Sequence, residues 1–194
     1  TMNNTIGWKI SYNAKFTLTF CFISTFFLIA DRLTGGGWNN ALALLPELGW
    51  SSFYRMLSYI FCHANFQHFT GNMLYLLLLG PILEEKYGTK VLALMTLITA
   101  ILTGLINAFF FNEAIIGASG IVFMFIVLSS IVNVKEREIP ITFLLVVIIY
   151  IGGEVMNGFK EDNISQFGHI IGGFCGGFLG YLFNKATVNK SQIS

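Results

Sequence analysis

Six apolar runs, at 13–30, 65–83, 91–111, 115–134, 140–156 and 167–183, carry almost no charge, and they limit the fold more than any other feature. A helix needs about 20 apolar residues to cross the hydrocarbon core of a bilayer. Only a helix or a closed barrel can satisfy its own backbone donors and acceptors there. Charged residues make up 11% of the 194 and hydrophobic ones 55%. An ordinary soluble domain carries about 25% charge. The expected fold is therefore all-α: a polytopic bundle of six transmembrane helices forming a single domain over residues 1–194. The first and last runs are short and are expected to borrow interfacial residues at their ends. The net charge of +1 gives no reason to expect a nucleic-acid partner.

The longest connection, residues 31–64, holds Gly35-Gly36-Gly37 and the aromatics Trp38, Trp50, Phe53, Tyr54 and Tyr59. Trp and Tyr rings favour the membrane–water interface, so this first loop is expected to fold there. A loop of this length in a compact protein is usually functional. With the N-terminus inside, Lys9, Lys15, Lys86, Lys90, Lys135, Arg137, Lys185 and Lys190 fall on the cytoplasmic side. Only Arg32, Arg55 and Lys160 fall outside, a clear positive-inside bias. The tails at 1–12 and 184–194 are thus expected to be cytoplasmic. No cleavable signal peptide is expected, since Asp31-Arg32 and glycines follow the first run in place of a small-residue cleavage pattern.

This topology places the starts of spans two, four and six at the outer face. His68 and Asn72 open span two, Ser119 opens span four, and His169 opens span six. Polar residues inside a membrane are costly and by default functional. Ser119 lies in Gly117-Ala118-Ser119-Gly120, where the glycines allow close backbone approach and leave the hydroxyl open. The same small residues also suit a plain helix contact. Ser119 and His169 form a candidate nucleophile and general base, because a neutral imidazole titrates near working pH and can take a hydroxyl proton. His169 could equally bond a carbonyl at a helix start. Gly168, Gly172, Gly176 and Gly180 recur every four residues, a stripe against which another helix can pack closely. If that neighbour is span four, the stripe carries His169 to Ser119.

His68 and Asn72 are four apart and share one helix face. Both can donate hydrogen bonds, as an anionic tetrahedral intermediate requires, or they could form an interhelical polar clamp. His63 reads as a structural support of the loop. A metal held by His63, His68 and His169 is the sharper rival, but no H-E-x-x-H and no nearby carboxylate accompanies them. Glu84, in Gly80-x-x-x-Glu84-x-x-x-Gly88, is expected to make helix-end hydrogen bonds away from the chemistry. Glu154 is the only acid placed to orient His169, and a dyad does not need it. Lys135-Glu136-Arg137-Glu138 reads as a short solvated turn. Cys21, Cys62 and Cys175 have no metal spacing, and Cys21 and Cys175 sit in apolar runs.

Taken in order, His63-x-x-x-x-His68-x-x-x-Asn72, Gly80-x-x-x-Glu84-x-x-x-Gly88, Gly117-x-Ser119-Gly120 and His169-x-x-Gly172-x-x-x-Gly176 resemble the rhomboid intramembrane serine proteases. The resemblance covers nearly the whole chain and implies the bacterial-type six-helix core, without cofactor or metal, in a bacterial plasma (inner) membrane. It implies a Ser119–His169 dyad, with oxyanion contacts from His68, Asn72 and the Ser119 backbone. The implied partners are the lipid bilayer and single-span membrane protein substrates, cut near the outer end of the span. Arg55 matches an arginine that usually follows Trp, where this chain has Tyr54. Gly168 replaces a usual alanine, and Phe123 stands where a tyrosine stacks on the histidine. A catalytically dead relative that escorts membrane clients would share the fold but typically lacks the serine or histidine, and both are present here. A small transporter would want ionisable residues at mid-membrane, and the spans show none.

Overall fold

In the computed structural model the described residues are 10–45, 53–110, 114–131 and 166–191, with isolated positions at 141, 144–145 and 148–149. Side chains of the last segment are described over 167–183. Glu154 and the turn formed by Lys135, Glu136, Arg137 and Glu138 lie outside the described residues, as does most of the run at 140–156. The described chain is helical: α1 (Lys15–Leu33), α2 (Gly37–Leu42), α3 (Arg55–Ser58), α4 (Phe66–Tyr87), α5 (Thr89–Phe110), α6 (Ser119–Ile131) and α7 (Gln166–Ser191). A 3-10 turn, Tyr59–Phe61, extends α3. Among the described residues the only β pairing is a bridge between Leu44 and Ile115.

Two of these helices, Lys15–Leu33 and Thr89–Phe110, are long and apolar enough to cross a membrane by length and composition. Ser119–Ile131 and Phe167–Phe183 are shorter apolar stretches. Helix α6 is the centre of the bundle. Ile121, Val122, Met124, Phe125, Ile126, Val127 and Leu128 are all buried, so most of its circumference faces protein. It packs chiefly on α7, then on α4 and α5.

One carboxylate joins three helix ends. Ala14, before α1, has no side chain able to cap the first turn. Its orphan donors turn instead to Glu84 of α4: Phe16 N–H donates at 2.8 Å and Thr17 N–H at 3.1 Å. The Thr17 hydroxyl adds a bond of 3.0 Å, and the Thr89 hydroxyl at the start of α5 donates at 2.7 Å. One turn before Glu84, Gly80 leaves room for Thr17, whose Oγ1 would lie 2.5 Å from a Cβ there. Gly88, at φ +81°, makes the sharp link from α4 to α5. Glu84 thus has the helix-end role expected of it.

Several boundaries differ from the apolar pattern: α4 runs on to Tyr87 and α7 to Ser191, past the expected ends at 83 and 183. Run four was expected from 115, yet the helix starts at Ser119 because Ile115 is paired with Leu44 in both directions, at 3.0 and 2.9 Å. Gly117 then takes φ +118°, which a helix does not admit. Helix α1 continues past residue 30 through Asp31, whose carboxylate accepts from Asn39 N–H at 2.8 Å and Asn39 Nδ2 at 2.9 Å. A satisfied carboxylate no longer forces the chain out to water.

Replacing Glu84 with Ala should lower thermal stability in detergent by about 2–4 kcal/mol, since several bonds to one charged group are lost and α1 regains its orphans. The same change at exposed Glu85 should stay within about 0.5 kcal/mol. Equal melting shifts for the two variants would contradict this assignment.

Candidate active site

The glycine stripe of α7 faces α6 at backbone contact. A Cβ on Gly172 would collide with the Gly120 carbonyl oxygen and lie 3.0 Å from Gly120 Cα. One on Gly176 would lie 2.7 Å from Met124 O and 3.1 Å from Met124 Cα. One on Gly180 would strike Ile131 and lie 2.9 Å from Leu128 Cδ2. Reciprocally, a Cβ on Gly120 would be 3.1 Å from Gly168 O. Gly173 and Gly177, off the stripe, see only Val127 at ordinary distances of 3.7 and 3.9 Å. The expected packing of span six on span four is therefore present. Ser119 precedes Gly120 and His169 follows Gly168, so this contact brings their two turns together.

His169 is buried, and its ring stacks flat on Phe123, with centroids 4.4 Å apart and planes at 5°. Phe123 is four residues after Ser119 and shares its face of α6. The imidazole therefore lies over the face that carries the serine. The stacking expected of Phe123 is retained without a hydroxyl.

His68 reaches the same place from α4. Asn65 caps this helix by accepting the His68 N–H at 2.8 Å. The His68 ring lies directly on the Gly117 backbone, and a Cβ there would be 2.8 Å from Nε2. The Gly117 segment is fixed from its other side by Tyr59, whose carbonyl accepts Gly117 N–H at 3.0 Å, and by the Leu44–Ile115 bridge. Asn72 is buried one turn along α4, and among the described residues its Nδ2 has no hydrogen-bond partner. A hollow of about 100 Å³ is lined by His68 and Ser119 together with Tyr59, Thr103, Ile116, Gly117, Gly120 and Gly168, while Asn72 and His169 are not among its lining residues.

His63 lies outside the helices but behind His68, with ring centroids 5.3 Å apart at 72°. Its other side meets Phe69 at 5.3 Å and 89°. Burial, and then the neighbouring His68, push its pKa down to about 3, against a weaker backbone contact at Phe61. Among the described residues no group of three His, Cys, Asp or Glu side chains is arranged to hold a metal ion.

Tyr59 and Thr103 belong to the hollow and were not singled out from the sequence. Tyr59 counted only as one of the loop aromatics. Thr103 did carry a signal, because Thr96, Thr99, Thr103 and Asn107 recur at helical spacing in an apolar run and are all buried.

These features define a class: a helical bundle of membrane type with a small hollow lined by a serine and a histidine, a second histidine on the helix that packs against the serine's, and a buried asparagine one turn beyond the first histidine. The sequence profile of the Rhomboid domain matches residues 51–186, and the chain belongs to the rhomboid family. It is therefore an integral, multi-pass membrane protein. It is 31% identical to the Rhomboid protease GluP of Bacillus subtilis over 86% of this chain and 34% of that protein. It is 29% identical to the Rhomboid-like protease 1 of Toxoplasma gondii over 75% of this chain and 52% of that one. It is 25% identical to the chloroplastic Rhomboid-like protein 11 of Arabidopsis thaliana over 69% of this chain and 54% of that one. The chain thus spans between a third and just over half of these relatives' lengths.

Two outcomes follow from this geometry. Gly172→Ala and Gly176→Ala should each cost about 1–3 kcal/mol by overpacking, whereas Gly173→Ala should be neutral or slightly stabilising. Melting temperatures of the three variants test whether the stripe faces α6. For His63, the folded pKa of about 3 lies below the ordinary 6.5. Between those values the unfolded chain binds a proton that the folded chain excludes, so stability is full above pH 6.5 and falls as the pH drops. Melting curves from pH 7.5 to 5 should show this loss, and His63→Gln should reduce its slope.

Proposed function

We propose that the chain is an intramembrane serine endopeptidase that cleaves single-span membrane proteins near the outer end of their transmembrane helix. The observation that carries this reading is the backbone contact of Gly172 with Gly120. It sets the His169 turn against the Ser119 turn, and His169 lies on Phe123 over the serine's face of α6. Likeness to proteins named as rhomboid proteases supports the same chemistry.

In this mechanism Ser119 Oγ attacks the scissile carbonyl carbon while His169 takes the hydroxyl proton. The carbonyl oxygen becomes an oxyanion and accepts hydrogen bonds from the His68 imidazole, Asn72 Nδ2 and the Ser119 N–H. Among the described residues Asn72 Nδ2 has no hydrogen-bond partner, which supports this role. Collapse of the intermediate breaks the C–N bond, and the leaving amine takes the proton from His169. Water then attacks the acyl-Ser119 ester, gives a proton to His169, and releases the new carboxyl end as the proton returns to Ser119. Six spans with both tails in the cytoplasm put the hollow at the outer face of a plasma membrane. Water reaches it there without crossing lipid. The substrate helix must unwind to expose its carbonyl, so helix-weakening residues near the cut should favour cleavage.

The test is cleavage of a fluorogenic single-span substrate in detergent and in proteoliposomes. Ser119→Ala and His169→Ala should each abolish it, and the double variant should be no worse, because the two groups act as a unit. His68→Ala and Asn72→Ala should each lose about 10²–10³ in rate and keep residual activity. Full activity in Ser119→Ala, with contaminating proteases excluded, would falsify the reading.

A further inference from the structure

The site's histidine on α4 has a support chain that begins 37 residues earlier in the sequence. Asp31, near the end of α1, is buried, and Asn39 in α2 bonds both of its carboxylate oxygens, through N–H at 2.8 Å and Nδ2 at 2.9 Å. The second Nδ2 hydrogen goes to the His63 carbonyl at 3.0 Å. With both amide hydrogens directed to oxygen acceptors, the orientation of the Asn39 side chain is fixed. His63 is 1% exposed, and its ring is clamped edge-on between His68 and Phe69. Because among the described residues neither ring nitrogen has a hydrogen-bond partner, the ring is held by packing and its place depends on the backbone that Asn39 holds.

His68 depends on His63 in turn. Its backbone is capped by Asn65, which fixes where the side chain leaves the helix but not how the ring is turned. Two surfaces set the ring: the Gly117 backbone on one side and the His63 edge on another. We infer that Asp31 and Asn39 are positioning residues for the His68 imidazole, acting through the His63 carbonyl and ring. This rests on the role proposed for His68 in the protease reading. The remote pair would hold an imidazole that lines the hollow, where a small misplacement is expensive in rate.

A pair that merely stabilised the first loop would give a different pattern, and a double-mutant cycle separates the two. Asn39→Ala should lower kcat roughly 10- to 100-fold with KM changed less than about twofold, and should have no further effect in a His68→Ala background. Equal losses in both backgrounds, or no loss in either, overturn the inference. The exchange Asp31→Asn/Asn39→Asp provides a second arm. It keeps a hydrogen bond between α1 and α2 but sets an acceptor against the His63 carbonyl. Thermal stability should recover relative to Asn39→Ala while kcat does not; recovery of both overturns the inference. A third readout needs no activity. In protein labelled with ¹⁵N-histidine, the ring resonance lost in His68→Ala should shift in Asn39→Ala and stay unshifted in Glu85→Ala. If wild type shows no Ser119-dependent cleavage, the protease reading fails, while an unmoved His68 resonance would overturn the positioning role by itself.

Discussion

The placing of the histidine in the candidate site depends on one contact with no side chain in it, the Gly172 Cα surface against the Gly120 carbonyl. In lipid there is little hydrophobic drive to pair helices, so close van der Waals approach between backbones must supply it. Four glycines at a spacing of four make that approach continuous along α7. The histidine rides at the open end of this seam. Its ring is then turned by Phe123, a flat apolar surface that fixes the imidazole plane without competing for its nitrogens.

The serine turn is held independently. It is approached by a loop that cannot be helical, because Gly117 has a left-handed φ and Ile115 is paired to Leu44. Tyr59 adds a third tie, using its carbonyl for Gly117 N–H and its hydroxyl for Ala100 O at 3.2 Å. The first loop is thus part of the site's frame. Its own shape comes from Arg55, which donates to the carbonyls of Asn40 and Ala43 at 3.0 and 2.8 Å, and from Tyr54 and Ser58, which donate to Ala41 and Leu42. These bonds finish the carbonyl end of α2. Tyr54, where the resemblance leads one to expect Trp, supplies a hydroxyl donor to the Ala41 carbonyl.

Two buried carboxylates organise the two ends of the framework. Glu84 gathers the starts of α1 and α5 at the end of α4, and Asp31 gathers α2 at the end of α1. Each is surrounded by donors, which is what lets an acid stay inside an apolar bundle. Neither touches the hollow.

The helical class was legible in the amino-acid order alone, since low charge and long apolar runs leave few other solutions. So were the candidates Ser119, His169, His68 and Asn72, because polar groups in such runs stand out against an apolar background. The glycine period of four was legible for the same reason: regular spacing encodes a helix face. Which neighbour that face meets emerged from the packing of the helices, for a stripe of glycines fits any close partner. The tertiary structure also decided that α6 begins at Ser119, as the bridge from Ile115 to Leu44 joins residues 71 apart. The support running from Asp31 through Asn39 to His63 was invisible along the chain. Its members carry no shared period or motif, and hydrogen bonds between separate elements appear only when the helices are packed.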